Sequence, residues 1–202
     1  MGDSAVPLRS RDPGAEGRFD LVRPSPEYLA GYVDALRQGW SPDNLRPATA
    51  AEQLARIAQD AGAFLAGLYD PDARGAAIAL PDGSRVPRLP GYVLWMWDGA
   101  FCGSIGLRWQ PGTEALPPYC LGHIGYAVVP WKQRRGYATR ALAGMLPLAR
   151  AEGLRYVDLH TVAENLASRR VIEANGGVLV GPYRKPDVHG GTEGLRYRID
   201  LS

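Results

Sequence analysis

Four cations, Lys132, Arg134, Arg135 and Arg140, surround one glycine, Gly136, with no acidic residue between them. They lie where an apolar run, His123 to Val129, gives way to an amphipathic one, a pattern that predicts a strand, a glycine-containing turn and a helix start. A helix N-terminus carries unpaired N–H groups and about half a positive charge, and glycine lets an anion approach the backbone closely. The chemistry these residues suit is phosphate binding. Trp131 and Tyr137 are interleaved with the cations, as in some nucleic-acid sites, but a net charge of +2 and no second basic stripe argue against a nucleic-acid partner. Cys102, Cys120, His123 and His160 are metal-ligand types, and Cys120-x-x-His123 is half a zinc motif. No second close pair completes it, so no metal is expected.

The elements that must position this turn can be read along the chain. Residues 1–17 hold Gly, Pro, Ser and charge without periodicity and are expected to form a mobile tail, with a single domain over 18–202. Phe19 to Val22 suggests a short strand. Pro24, Ser25 and Pro26 then start a helix from Glu27 to about Gln38. Leu54, Ile57, Ala58, Ala61, Phe64 and Leu65 predict one further helix from about Ala50. Residues 69–91 suggest a β excursion with a hairpin at Pro81-Asp82-Gly83-Ser84, and their role is not legible. Two β-rich runs flank Asp98-Gly99, which predicts a type I′ hairpin. After the strand ending at Val129 come a helix over Ala138 to Ala149 that Pro147 should bend, and a strand at Tyr156 to Val162. A helix over Leu166 to Ala174 capped by Asn165 and two closing strands complete a mixed α/β order.

Apolar content of 46% and charged content of 22% are those of an ordinary globular protein. No run of 18 apolar residues and no secretory signal pattern occurs, so no membrane partner is expected and a cytoplasmic location is the default. Two cysteines are too few for a disulfide scaffold and suit a reducing compartment.

Gln133-Arg134-Arg135-Gly136-Tyr137-Ala138 fits the pattern Q/R-x-x-G-x-G/A and resembles the cofactor turn of the GNAT superfamily of N-acetyltransferases. Glu164 to Gly177 is similar to that family's N-x-x-A/S helix ending at a glycine pair. Together the two stretches extend the resemblance over about residues 90 to 180. It implies a GNAT-like α/β fold, a mixed, mostly antiparallel central sheet flanked by helices. It also implies acetyl-CoA as co-substrate, with the pyrophosphate held by Gln133, Arg134, Arg135, Gly136, Tyr137, Ala138 and Thr139. Lys132 would help neutralise the outer phosphate. Ala127, Val128 and Val129 would bond the pantetheine arm through their backbone, and Asn165 and Ser168 would face it from the other side. The structural alternative for Asn165 is a plain helix cap.

The implied activity is acetyl transfer to a primary amine of a small molecule or peptide, by direct attack in a ternary complex. The alternative is an acyl-CoA-binding sensor or pseudoenzyme. Lining up the motif puts His123 at about the place where several members carry a catalytic glutamate, and histidine titrates near pH 6.5, which suits a base. Its structural alternative is a packed strand histidine. A backbone N–H near Val128 would serve as oxyanion donor. Where many members have an acidic tyrosine this chain has Ile172, leaving Ser168, Tyr126, Tyr137 and Tyr183 as substitutes. The aromatic residues Tyr92, Trp95, Trp97, Trp109, Tyr119 and Tyr126 are read mainly as core. The acceptor is not written in the sequence, and a homodimer is left open.

Overall fold

The computed structural model describes residues 19–43, 46–80, 83–187 and 190–202. The tail expected at 1–17, parts of the turns at Asn44 and at Pro81-Asp82, and His189 lie outside the described residues. The order is β1 (Asp20–Val22), α1 (Pro26–Arg37), α2 (Thr49–Gln59), α3 (Ala61–Ala66), β2 (Tyr69–Asp70), β3 (Ile78–Ala79), β4 (Arg85–Val86), β5 (Gly91–Trp97), β6 (Phe101–Arg108) and β7 (Ile124–Val128). A short 3-10 turn (Pro130–Lys132) leads to α4 (Tyr137–Ala151), β8 (Tyr156–Thr161), α5 (Leu166–Glu173), β9 (Val178–Arg184) and β10 (Glu193–Asp200).

Two antiparallel sheets carry the fold. One runs β1-β5-β6-β7, with β2 also on β5; the other runs β8-β10-β9. Period-2 alternation puts Leu94, Met96, Ile105, Leu107 and Ile124 against Ala141, Leu142 and Met145 of α4 and Ile172 of α5. The opposite face carries Trp95, Phe101, Ala127 and Val129 against Tyr32, Leu36 and Phe64. Tyr32 stacks on Trp95 at 4.5 Å and meets Phe101 edge-on at 5.2 Å, contacts worth about 0.5–1.5 kcal/mol each beyond the buried area. Tyr92, Trp95 and Trp109 are core, as their sequence context suggests.

Among the described residues the backbones of the two sheets join at one place. His123, just before β7, donates its N–H to the Asp158 carbonyl on β8 at 2.8 Å, and the Asp158 N–H donates back to His123 Nδ1 at 2.9 Å. A Cβ on Gly122 (φ +75°) would stand 2.8 Å from the Asp158 carbonyl oxygen, so glycine is what permits this approach. Past that point β7 pairs with β6 and β8 pairs with β10, so the sheet divides. The helix α4 carries the chain across the division.

Two local expectations need correction, and the β excursion expected at 69–91 is present. The helix predicted from Ala50 through Leu65 is two, because Asp60 adopts an extended conformation (φ −158°) and its side chain caps α3 through the Ala63 N–H. The Asp98-Gly99 connection is not a two-residue type I′ turn: Trp97 pairs with Phe101, leaving Asp98, Gly99 and Ala100 in the loop. Asp98 accepts the Ala100 N–H at 3.2 Å and turns its carboxylate toward α4, which the longer loop permits. The 69–91 excursion is β2 followed by the β3–β4 hairpin, and β2 extends the main sheet beside β5.

Candidate active site

The turn before α4 is built from two left-handed residues, Arg134 (φ 60°) and Gly136 (φ 74°). A non-glycine residue in that region costs about 1–2 kcal/mol, so the Arg134 backbone is held there by its surroundings. Left-handed residues in succession with helical ones turn N–H groups into one concavity, the geometry of an anion nest. No side chain caps α4, and its first helical bond is Arg140 N–H to the Gly136 carbonyl at 3.0 Å. The N–H groups of Tyr137, Ala138 and Thr139 therefore have no helical acceptor. By contrast, α5 is capped: Asn165 Oδ1 accepts the Ser168 N–H at 3.0 Å, realising the plain cap foreseen for Asn165.

The four cations of the turn do different things. Lys132 Nζ lies 2.5 Å from Asp98 Oδ1, in an ion pair with side chains only 13% and 17% exposed. The Tyr137 hydroxyl donates to the other oxygen of Asp98. The expectation that Lys132 neutralises a phosphate is thus corrected, because its charge is already matched. Arg140 folds back over the rings of Phe19 (4.6 Å) and Tyr137 (4.9 Å). Arg134 and Arg135 are exposed, and among the described residues neither forms an ion pair.

Burial alone would raise the Asp98 carboxyl, but hydrogen bonds from Lys132 and Tyr137 outweigh it and bring it down to about 2. A carboxylate with a lowered folded pKa stabilises the protein above its unfolded value near 3.9 and loses that contribution as pH falls toward the folded value. We therefore expect about 2 kcal/mol of stability to disappear between about pH 4 and pH 2. In Asp98→Asn, acid titration of the melting temperature should lack that component.

Along β7, Arg108 N–H bonds the His123 carbonyl and Val129 N–H bonds the Cys102 carbonyl. With antiparallel alternation, the backbone groups of Gly125 and Ala127 and the Val129 N–H are spent on β6, while those of Tyr126 and Val128 point into the division. Of the stretch Ala127 to Val129, only Val128 offers main-chain groups there, and Gln133 Nε2 already reaches its carbonyl at 3.4 Å. The sequence pattern of β7 missed Tyr126 as the second such residue.

Across the division, the Tyr126 hydroxyl lies 3.0 Å from Ser168 Oγ and 3.3 Å from the Ser168 carbonyl. Burial pushes this phenol up to about 12, with the Ser168 bond opposing. Among the substitutes for the absent tyrosine, Tyr137 is bound to Asp98 and Tyr183 stacks on His160 at 3.9 Å. Ile172 itself is buried in the core. Asn175 was also missed: its Nδ2 donates to the Thr139 carbonyl of α4 at 3.3 Å and to the Val171 carbonyl at 2.8 Å, tying the two helices that flank the gap.

His123 is 1% exposed. Because Nδ1 accepts a peptide N–H, the neutral ring carries its proton on Nε2, and Nε2 has no hydrogen-bond partner. Burial lowers its basicity, opposed by Asp158 and by the nearby Glu114 backbone, which comes close without meeting hydrogen-bond geometry. In this tautomer neither nitrogen presents a lone pair to an incoming amine. His123 does line a cavity of about 470 Å3 at the closed end of the division, whose walls include Tyr156, Asp158 and His160 of β8 and the 114–120 loop. Cys120 also lines it, with its thiol pushed up by burial. Among the described residues no group of three or more His, Cys, Asp or Glu is placed to hold a metal ion, and no helix is long and apolar enough to cross a membrane.

The turn before α4 and the cavity beside His123 thus lie at opposite ends of the gap between β7 and β8. The acetyltransferase (GNAT) domain family matches residues 34–178, and the chain belongs to that family. No curated protein matches the chain. Its fold is similar to that of RimJ from Mycobacterium smegmatis, solved with CoA-disulfide, at TM-score 0.61 and 19% identity over 91% of this chain and 82% of that one. The microcin C7 self-immunity acetyltransferase MccE, solved with acetyl-CoA and AMP, gives 0.57 and 14% over 90% and 92%. Ribosomal-protein-S5-alanine acetyltransferase from Vibrio fischeri gives 0.55 and 16% over 91% and 93%.

Proposed function

We propose that this chain transfers an acetyl group from acetyl-CoA to a primary amine of a small molecule or peptide, within a ternary complex. The observation that carries the reading is the uncapped, doubly left-handed turn at Arg134–Gly136, opening on the gap between β7 and β8. The names of solved relatives support it: they include acetyltransferases with coenzyme A species bound and a ribosomal-protein acetyltransferase.

In this reading, N–H groups from Arg134 to Thr139 hold the pyrophosphate, and the exposed Arg134 and Arg135 supply countercharge. Gln133 steadies the strand end through Val128. Tyr126 and Val128 give main-chain bonds to the pantetheine arm, and Ala127 and Val129 set the register of that edge from the β6 side. Asn165 and Ser168 line the opposite wall. Acetyl-CoA supplies the activated acyl group as a thioester. The Val128 N–H, or that of Tyr126, donates to the developing oxyanion, an effect worth about 3 kcal/mol in comparable sites. The Tyr126 phenol would give its one proton to the leaving sulfur, releasing its bond to the Ser168 carbonyl, while the Ser168 hydroxyl donates to the phenol oxygen left behind. The amine's proton leaves to cavity water, because the lone pair of His123 is already taken by the Asp158 N–H.

Thiol release from acetyl-CoA over a panel of amines tests this. Release with at least one amine supports it, whereas coenzyme A binding without release from any amine leaves the sensor alternative. Tyr126→Phe should lower kcat about a hundredfold to ten-thousandfold with little change in KM for acetyl-CoA, the size of a lost acid contribution. An unaltered kcat would remove Tyr126 from the chemistry.

A further inference from the structure

The cavity beside His123 has an unusual charge balance. Its two carboxylates are consumed: Asp158 accepts from Arg198 at 2.8 and 2.9 Å, and Glu114 accepts from Arg155 at 2.5 and 3.2 Å. Arg184, at the rim, is paired with Asp187 at 3.3 Å. Arg196 also lines the cavity, half-buried, and among the described residues its side chain makes no ion pair or hydrogen bond. The β8–β10 register sets it directly opposite His160. Cross-strand neighbours of this kind have Cβ atoms about 5 Å apart.

Two imidazoles add donors. His123 presents a buried Nε2–H with no acceptor, and both ring nitrogens of His160 are buried and unpartnered. Burial, with Arg196 adding to it and Asp158 opposing, lowers His160 to about 4, so it is neutral at pH 7 with one N–H to give. The Tyr183 ring covers its face, leaving the ring edge to meet a ligand. A buried donor without an acceptor costs about 1–3 kcal/mol, and the two imidazoles here lack one. An anion could accept from them, while an ammonium would be repelled by Arg196 and by Arg108, whose charge also acts on both imidazoles.

We infer that Arg196, His160 and the Nε2–H of His123 form a subsite for an anionic group of the acceptor, a carboxylate or phosphate set apart from the amine that is acylated. The inference rests on the acetyl-transfer reading for the word acceptor, but the subsite itself is an equilibrium property. The closed end of the gap and the cavity share His123 and Asp158, so an acceptor anchored here directs its other end toward the gap. The pocket thus selects amino acids, acidic peptides or phosphorylated amines over plain alkylamines.

The first arm of the test measures melting temperature in saturating coenzyme A, which occupies the α4 N-terminus, with benzoate, phenyl phosphate or benzamide added. Either anion should raise it and benzamide should not, and Arg196→Gln should weaken the anion effect at least about tenfold, as expected for a lost charge-assisted bond. The larger of the two anion responses separates carboxylate from phosphate. Anion effects no greater than that of benzamide, or unchanged in Arg196→Gln, overturn the inference. The second arm compares thiol release with amino acids and with their amides: the acids should be preferred by kcat/KM, and Arg196→Gln should bring the ratio toward one. A ratio near one in the wild type overturns the preference for anionic acceptors. Arg196-dependent anion binding without thiol release from any amine would instead overturn the acetyl-transfer reading and leave the subsite standing.

Discussion

Gly136→Asp should remove the stabilisation expected of acetyl-CoA in the wild type while leaving the protein folded. Gly136 sits at φ +74°, and a Cβ there meets nothing within 4 Å, so a side chain has room. Aspartate tolerates the left-handed region better than most residues, and a carboxylate at a helix N-terminus gains about 0.3–1 kcal/mol from the dipole, offsetting part of the strain. Toward a pyrophosphate the same carboxylate is repulsive: two unit charges about 4 Å apart interact by about 4 kcal/mol at an effective dielectric near 20. Affinity should therefore fall at least about a hundredfold. At a concentration one hundred times the wild-type dissociation constant, ligand linkage adds about 2.7 kcal/mol, very roughly 5–11 °C for a chain of this size. For the variant at that concentration the gain is about 0.4 kcal/mol, a shift of about 1 °C. Thermal scans with and without acetyl-CoA read the difference. An undiminished shift in Gly136→Asp would place coenzyme A elsewhere, and no shift in the wild type would sink the acyl-CoA reading.

That turn was legible because its determinants are local: a strand, a glycine, cations and an amphipathic helix follow one another within one short stretch. The roles of its individual cations were not, because each is decided by a partner distant in sequence. Lys132 looks like a phosphate ligand until Asp98, 34 positions earlier, turns out to hold it. The α2–α3 break was hidden for a related reason. Asp60 fits the polar face of a long helix as well as it fits a cap, and only its bond to the Ala63 N–H shows which it is. The cavity's charge balance depends on pairings such as Asp158 with Arg198, 40 positions apart, which create the asymmetry that leaves Arg196 unmatched. Residue types gave histidine its titration range. They say nothing about which nitrogen is occupied, and at His123 a peptide N–H from Asp158 settles that.

The consequence for His123 is a pair of variants with opposite outcomes. Asparagine carries an acceptor oxygen on Cγ, where histidine carries Nδ1, so His123→Asn can still receive the Asp158 N–H and hold the two sheets together. Alanine cannot, and it leaves a buried N–H unsatisfied together with a void in a site that is 1% exposed. The orphaned donor costs about 1–3 kcal/mol and the void adds to it, so His123→Ala should lose about 3 kcal/mol or more, roughly 6–12 °C in melting temperature. His123→Asn should recover most of that and keep kcat within about fivefold, because no proton passes through the ring. Its rate of thiol release should still rise with pH toward the pKa of the acceptor amine, as in the wild type. A base role predicts otherwise: both variants would lose about a hundredfold to ten-thousandfold in kcat irrespective of stability, and any limb near histidine's pKa would vanish from the pH profile. Melting curves and pH–rate profiles of the two variants separate a residue that joins the sheets from one that takes the proton.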